Sequence, residues 1–191
     1  MSAREMRVQE LIDEYKYTFI HPFDDYSVIA GQGSIACELE SQLQEPLDKL
    51  LIPVGGGGLI SGISFFAKKN GGIASTIIGA EPETARDATD SFYSKTHVTD
   101  YKPMTIADGL RATLGVKNFE IILKNVDEFI TATESEIIEA MKIIWSRLKV
   151  IVEPSAAVPL AVILNKPEYF KNERVGVILS GGNLDLEDLP W

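Results

Sequence analysis

The sequence has little cysteine and no long hydrophobic run. Its single cysteine, Cys37, cannot form a disulfide within the chain, and its position in the apolar run 35–37 predicts that it lies in the core. No apolar run approaches the roughly 20 residues that a membrane-spanning helix needs. The start, MSAREMRVQE, contains no hydrophobic signal core, so we expect a cytoplasmic protein.

Basic residues are also scarce. The 191 residues include 18 Lys and Arg against 28 Asp and Glu, which gives a formal net charge of −10. This balance argues against nucleic acid or an anionic membrane as the main partner. A hydrophobic content of 45% is enough to bury a substantial core, so a single globular domain is predicted.

A run of four consecutive glycines, 55–58, separates an apolar segment from a stretch with helical character, 59–69. Glycine tolerates positive φ and lets a ligand approach the backbone closely. A turn of this kind at a helix N-terminus also offers free N–H groups and the positive end of the helix dipole. A flexible linker is the alternative, but linkers are polar, and this turn has apolar elements on both sides. The predicted phosphate-binding residues are Gly55, Gly56, Gly57 and Gly58.

Short apolar runs alternate with helical patterns along the chain. Strands are predicted at 17–20, 50–54, 75–80, 128–132 and 174–179, and helices at 4–16, 27–44, 59–69, 117–124, 137–148 and 155–165. A polar helical segment ends near residue 93, and 94–110 is predicted to be a long, functional loop. This alternation indicates an α/β fold, a three-layer sandwich with a mainly parallel sheet. Both glycine turns, 55–58 and 181–182, follow strands, so one pocket at the carboxyl edge of the sheet can use both.

Three classes of phosphate ligand bind to glycine-rich turns of this kind. A nucleoside-triphosphate loop is excluded, because Gly58 is followed by Leu59 and not by Lys and Ser or Thr. A dinucleotide remains open: Gly56, Gly58 and Gly62 give a loose G-x-G-x-x-x-G, and Glu81 ends the next predicted strand, where an acid would hold a ribose hydroxyl.

Pyridoxal phosphate is the third ligand. A run of N–H groups can enclose its single phosphate, and Ser180, at the end of a separate strand, could donate a hydrogen bond to its ring nitrogen. A neutral ring nitrogen makes the ring a weaker electron sink, which suits racemisation or β-elimination at Cα.

Several motifs carry a resemblance to a known family. They are 53–59, 28–33, 105–109, 152–155 and Leu179-Ser180-Gly181-Gly182-Asn183, and the similarity extends from about His21 to Asn183. Together they resemble the serine racemase and serine/threonine dehydratase family, the fold-type II pyridoxal-phosphate enzymes. The resemblance implies that 1–191 is a single, incomplete large domain of the tryptophan synthase β-like fold, the C-terminal half of the enzyme.

The resemblance also implies roles for individual residues. The cofactor phosphate would bind to the glycine turn and the Leu59 amide, the ring nitrogen would meet Ser180, and Gly109 and Glu153 would border the cofactor. Family members bind Mg²⁺ or Ca²⁺ through a glutamate, a main-chain carbonyl and an aspartate, here Glu81, Ala85 and Asp87. The alternative is that these acids are merely solvated. Lys149 resembles a lysine that contacts ATP at the dimer interface, or is a cation at a helix end.

Two family motifs are missing from the sequence. No lysine, including Lys68, Lys69 and Lys102, stands in the Ser-x-Lys-x-Arg-Gly motif that forms the Schiff base, and the Ser-Ser-Gly-Asn-His-Gly loop with its catalytic serine is absent. We therefore expect the small domain to be absent, the chain alone to be inactive, and one edge of the sheet to be uncovered.

Three classes of function remain open. The first is the C-terminal half of a serine racemase or L-serine (threonine) dehydratase, a homodimer when complete, with a serine or threonine substrate. The second is a pseudoenzyme or interaction subunit that binds pyridoxal phosphate and metal without chemistry. The third is a dinucleotide-binding module.

Overall fold

The computed structural model describes residues 3–68 and 72–191, without the side chains of residues 3–5. Lys69, the end of one predicted helix, lies outside these ranges. The strands are β1 (Leu47–Pro53), β2 (Ala74–Pro82), β3 (Glu128–Ala132) and β4 (Val175–Val177). The helices are α1 (Ala3–Tyr15), α2 (Tyr26–Gln32), α3 (Ser34–Gln42), α4 (Gly58–Ala67), α5 (Asp87–Ser94), α6 (Val116–Asn125), α7 (Glu134–Ile143), α8 (Pro154–Asn165) and α9 (Pro167–Phe170). A 3₁₀ turn spans Asp108–Leu110, and α7 continues into a π-helical segment, Ile144–Leu148.

The four strands form one sheet in the order β3-β2-β1-β4, and every neighbouring pair is parallel. Leu51 of β1 lies opposite Ile78 of β2 on one side and Val177 of β4 on the other. All carboxyl ends of the strands therefore meet at one edge, where the glycine turn and the turn after β4 begin. The predicted α/β fold with a mainly parallel sheet is confirmed.

Apolar side chains cover both faces of the sheet. On one face, α7 and α8 pack over alternate strand residues such as Leu51, Ile78 and Ile130. On the other face, α3, α4 and α6 pack over the intervening residues, among them Ile52 and Ile77. Side chains alternate between the faces of a strand, so these short apolar runs supply both cores and produce three layers.

Three sequence predictions about local structure were wrong. Residues 17–20 form no strand, because no neighbouring strand in the described part of the chain pairs with them, and Tyr17, Phe19 and Ile20 are exposed. The predicted helix 27–44 is two helices, α2 and α3, which meet at Gly33. Cys37 is exposed on α3 and does not lie in the core.

The glycines of α2 and α4 allow these two helices to touch. A Cβ at Gly62 would lie 2.2 Å from the Ile29 carbonyl oxygen, and one at Gly33 would lie 2.2 Å from the Phe66 ring. The close approach at Gly33 is thus to a neighbouring helix, which fixes α4 and the turn before it. Within the described ranges, no helix has both the length and the apolar character to span a membrane.

Candidate functional site

The glycine turn joins β1 directly to α4 at the carboxyl edge of the sheet. Gly55, Gly56, Gly57 and Gly58 are all buried, and Gly57 has a φ of 89°, in the left-handed region that favours glycine. Gly57 is the N-cap residue of α4, and it makes no side-chain capping hydrogen bond. Within the described residues, no acceptor is found for the N–H groups from Gly55 through Ile60.

Buried N–H groups in folded proteins almost always have an acceptor, so a run without one is unusual. The run also includes the first turn of α4, where the helix dipole favours negative charge. The glycines keep the turn free of side chains. These features together make the turn suited to an anion, and a phosphate offers enough oxygen atoms to accept from several N–H groups.

The turn after β4 lies beside the glycine turn. Because β4 pairs with β1 in parallel, Ser180 emerges from the sheet next to the end of β1, and its side chain is exposed. Glu153, the N-cap residue of α8, joins this turn: its N–H donates to the Gly181 carbonyl at 3.1 Å, and its carboxylate accepts from the Asn183 N–H at 2.8 Å.

Gly109 connects the two turns. Its N–H donates to Ser155 Oγ at 3.1 Å, and a Cβ at Gly109 would lie 3.5 Å from the Glu153 carboxylate. A Cβ at Gly55 would lie 3.1 Å from the Gly109 carbonyl oxygen. The structure therefore brings together Gly55, Gly109 and Glu153 with the turn that contains Ser180.

A segment that the sequence prediction missed covers the glycine turn. The ring of Phe23 lies so close to Gly56 that a Cβ there would be 2.4 Å from it. The carboxylate of Asp24 accepts from the N–H of Lys117 at 2.9 Å, at the start of α6. Asn118, also on α6, donates to the carbonyls of Phe23 and Gly56, both at 2.9 Å. One signal was present in the sequence: Asn118 is a polar residue one turn before Ile122, on the apolar side of a predicted amphipathic helix.

The three predicted metal ligands lie in one short segment at the end of β2. Glu81 is 0% exposed and Asp87 is 2% exposed. The Glu81 carboxylate accepts from the Ala88 N–H at 3.2 Å and from the Thr89 N–H and hydroxyl at 2.6 Å. The Thr89 N–H donates to Glu81 and therefore not to the carbonyl of Ala85, four residues earlier. No other described residue donates to that carbonyl.

The pKa of Glu81 is raised to about 8, chiefly by burial and also by the nearby charge of Asp87, while the hydrogen bonds from Thr89 and Ala88 oppose the shift. Burial likewise raises the pKa of Asp87, which accepts from the Leu114 N–H at 2.7 Å. Neither carboxylate is in a salt bridge within the described ranges.

Two buried carboxylates in one short segment, with a carbonyl between them in sequence that has no donor among the described residues, fit a hard cation, which would offset the cost of burying their charge. The described residues contain no cluster of three or more His, Cys, Asp or Glu side chains. A cation here would therefore depend on the Ala85 carbonyl and on water for its remaining ligands.

The family profile described as "Pyridoxal-phosphate dependent enzyme" matches residues 1–181. The chain belongs to this family. It is 44% identical to the beta-hydroxyaspartate dehydratase of Paracoccus denitrificans and 46% identical to the serine racemase of Dictyostelium discoideum, over 100% and 99% of its length. The structure of maize serine racemase matches with a TM-score of 0.89 at 38% identity, covering 97% of this chain and 59% of that one.

These similarities confirm the resemblance to the serine racemase and dehydratase group and its fold-type II architecture. The chain spans 60% and 59% of the lengths of the two curated relatives. Pyridoxal phosphate is the cofactor of this family, so the site must be able to hold it. The buried glycine turn with its row of N–H groups fits the phosphate, and Ser180 is the exposed hydroxyl next to it.

A cleft of about 1020 Å³ opens beside Phe23. It is lined mainly by α1, the segment 19–24 and residues 111–116. Arg111 is its one Lys or Arg within the described residues, and the guanidinium donates from Nε and Nη2 to the Thr105 carbonyl at 2.9 and 2.6 Å. Lys149 lies elsewhere, exposed at the end of the π-helical segment with a φ of 59°.

Proposed function

We propose that this chain forms the wall of a pyridoxal-phosphate enzyme that holds the cofactor, and that the complete enzyme acts at Cα of a β-hydroxy amino acid. The reaction is racemisation, or β-elimination that ends in a 2-oxoacid and ammonia. The observation that carries the proposal is the run of N–H groups from Gly55 to Ile60, for which the described residues supply no acceptor, beside the turn of Ser180. Residues 1–191 are then one partial large domain.

Each residue of the pocket has a task in this proposal. The N–H groups of the glycine turn and Leu59 bind the cofactor phosphate at the positive end of α4. The Ser180 hydroxyl donates to the ring nitrogen and keeps it uncharged. Gly109 and Glu153 border the ring. Gly109 leaves space because it has no side chain, and Glu153 leaves space because its hydrogen bonds to the turn after β4 hold it in place. The cofactor supplies the electron sink that makes the Cα proton acidic.

Glu81, Ala85 and Asp87 are proposed to hold Mg²⁺ or Ca²⁺. The support is the burial of both carboxylates, neither of which forms a salt bridge with any described residue. The same burial disfavours the dinucleotide interpretation, since the Glu81 carboxylate is bonded to the first turn of α5 and not presented to a ribose. The cation would stabilise the connection from β2 to α5 and, through Asp87, the position of Leu114.

Serine, threonine or 3-hydroxyaspartate is the proposed substrate. Relatives of the chain are named for serine and for hydroxyaspartate, which differ in the group attached to Cβ. Arg111 supports an acidic substrate, because the Thr105 carbonyl fixes its guanidinium in the cleft and none of the described carboxylates pairs with it. Arginine held in this way is suited to bind a carboxylate.

Catalysis is proposed to require residues that this sequence does not contain. No lysine stands in the family's Ser-x-Lys-x-Arg-Gly setting, so the chain by itself would bind the cofactor without forming a covalent bond to its aldehyde. A complete enzyme of this kind is proposed to be a homodimer, with Lys149 as the candidate contact for ATP. A pseudoenzyme that keeps the phosphate and metal sites is the second candidate, favoured by the same missing lysine.

Absorbance spectra of the purified chain with pyridoxal phosphate, before and after borohydride, test the proposal. We expect saturable binding that inorganic phosphate displaces, with no band above about 400 nm that borohydride converts to a lysine adduct. Adding the N-terminal part of a related enzyme as a separate polypeptide should then produce that band and turnover of serine or 3-hydroxyaspartate. Binding that does not depend on the phosphate group would overturn the proposal.

A further inference from the structure

Asn118 lies behind the glycine turn, where it is 0% exposed. Its Nδ2 donates to the carbonyls of Phe23 and Gly56, both at 2.9 Å. Both neighbours are acceptors, so the nitrogen and not the oxygen of the amide must face them. Its Oδ1 is buried without a hydrogen-bond partner in the described part of the chain.

The Gly56 carbonyl is held from two sides. Besides Asn118, the Gly115 N–H donates to it at 3.1 Å, and Gly115 is the N-cap residue of α6. Two donors use both lone pairs of a carbonyl oxygen, which leaves the peptide unit little freedom to rotate. The Gly56 carbonyl is therefore fixed in the direction of α6.

This constraint also fixes the next N–H group. The Gly56 carbonyl and the Gly57 N–H belong to one planar peptide unit, and in a trans peptide they point in opposite directions. With the carbonyl directed at α6, the Gly57 N–H points away from α6, and no described residue accepts from it. Gly57 is flexible in φ, so without this hold the peptide could rotate and present its carbonyl instead.

We propose that Asn118 is a positioning residue that orients the Gly56–Gly57 peptide so that its N–H faces the cofactor phosphate. The inference rests on the proposed function, in which the glycine turn binds that phosphate. It explains why an amide is buried with an unpartnered oxygen. A buried amide oxygen without a hydrogen bond destabilises the fold, and such a group is retained where it has another function.

A second contact makes Asn118 a link between the turn and the segment that covers it. The same Nδ2 holds the Phe23 carbonyl, while the Phe23 ring packs against Gly56. Asp24 ties this segment to the first turn of α6 by accepting from the Val116 and Lys117 N–H groups at 3.2 and 2.9 Å. Asn118 thus sets the peptide orientation and the cover of the turn from one position.

Asn118→Ala in the full chain tests the proposal, with Asn125→Ala as the matched control. Asn125 lies on the same helix, and its Nδ2 donates to the Ile121 carbonyl at 2.8 Å, away from the glycine turn. The probes are pyridoxine 5′-phosphate and pyridoxine, which differ by the phosphate and cannot react with lysine. Calorimetry gives the ratio of the two affinities, and a role in stability alone would not change that ratio.

We expect Asn118→Ala to lower the affinity for pyridoxine 5′-phosphate at least about tenfold and to leave that for pyridoxine within about twofold. Asn125→Ala should leave both unchanged. If the wild-type chain prefers the phosphorylated probe and Asn118→Ala keeps the full preference, the role of Asn118 is wrong. If the wild-type chain shows no preference, the proposed function itself fails.

A measurement on the wild-type chain applies even where Asn118→Ala does not fold. Amide NMR spectra recorded while inorganic phosphate is added should show the Gly57 resonance moving downfield together with those of Gly58 and Leu59. A Gly57 amide that does not respond while its neighbours do would overturn the proposed orientation.

Discussion

The Glu153 carboxylate accepts a hydrogen bond from the Asn183 N–H at 2.8 Å and thereby joins the start of α8 to the turn after β4. The same carboxylate lies close to Gly181, where a Cβ would be 2.9 Å from its oxygen. The two walls that are proposed to border the cofactor ring are therefore held together by one acidic side chain.

Glu153→Ala removes this acceptor. Hydrogen bonds to charged groups contribute about 1.5–3 kcal/mol when buried, and Glu153 is only half-buried, so we expect a loss of about 1 kcal/mol in the free energy of unfolding. Urea denaturation measures it. Glu168→Ala, which removes only an exposed pair with Lys171, is the control and should leave stability nearly unchanged. Equal stability of the two variants would contradict the role of Glu153.

Gly57→Ala should damage both the fold and the phosphate site. The φ of 89° is unfavourable for alanine, and its Cβ would lie 2.6 Å from Leu114 Cδ1 and 2.8 Å from Asn118 Cβ. We expect a loss of about 1–3 kcal/mol in the free energy of unfolding. Gly31→Ala is the control: it lies inside α2, a Cβ there meets nothing within 4 Å, and it should stabilise by up to about 1 kcal/mol. Similar effects of the two changes would contradict the structure of the turn.

Stability should depend on pH through Glu81. Its pKa rises from 4.5 to about 8 on folding, so the folded chain binds more protons between these values. The contribution of the Glu81 proton to the free energy of unfolding is fully present below about pH 4.5. It falls as pH rises above that value and is lost once pH passes about 8, where Glu81 ionises in the folded chain as well. We expect chelator-treated protein to lose stability over this range. Mg²⁺ or Ca²⁺ should restore it at pH 8, and Glu81→Gln should remove both effects. A cation that has no effect on unfolding at pH 8 would contradict the metal site.

Arg111→Met should weaken binding of a dicarboxylate in the cleft. Malonate is a suitable probe because it carries two carboxylates and cannot react. We expect its affinity, measured by NMR titration, to fall at least about tenfold, or ~1.4 kcal/mol. Arg86→Met is the control, since Arg86 pairs with Asp90 on the exposed face of α5. Unchanged malonate binding in Arg111→Met would exclude Arg111 from substrate recognition.

The parallel strands and the site at their carboxyl edge were predictable from local patterns. The boundaries of β3 were predicted at 128–132 and are Glu128–Ala132. The prediction succeeded because turn residues on both sides of a short apolar run mark where the strand begins and ends. The capping box of Thr133 and Glu136 at the start of α7 likewise corresponds to a local T-x-x-E pattern in the sequence. The glycine turn was predictable because four glycines after an apolar strand have few other uses.

The cover over the glycine turn was not predictable in the same way. Tyr17–Ile20 has strong β propensity, yet strand formation depends on a pairing partner that local sequence does not reveal. The side-chain Nδ2 of Asn118 donates to the main-chain carbonyl of Gly56, a residue far away along the chain. Contacts of this kind depend on how the helices pack on the sheet, and they are difficult to predict from residue types alone. The buried acids are similar, because no local pattern indicates that Glu81 is wholly enclosed.

The central claim is that the glycine turn binds the phosphate of pyridoxal phosphate. Calorimetric titration of the full chain with pyridoxal phosphate and with pyridoxal, in the presence and absence of inorganic phosphate, tests it most directly. The account predicts that pyridoxal phosphate binds at least about tenfold more tightly than pyridoxal, a difference of ~1.4 kcal/mol, and that inorganic phosphate competes with it. Equal affinities, or binding that inorganic phosphate does not reduce, would contradict the account.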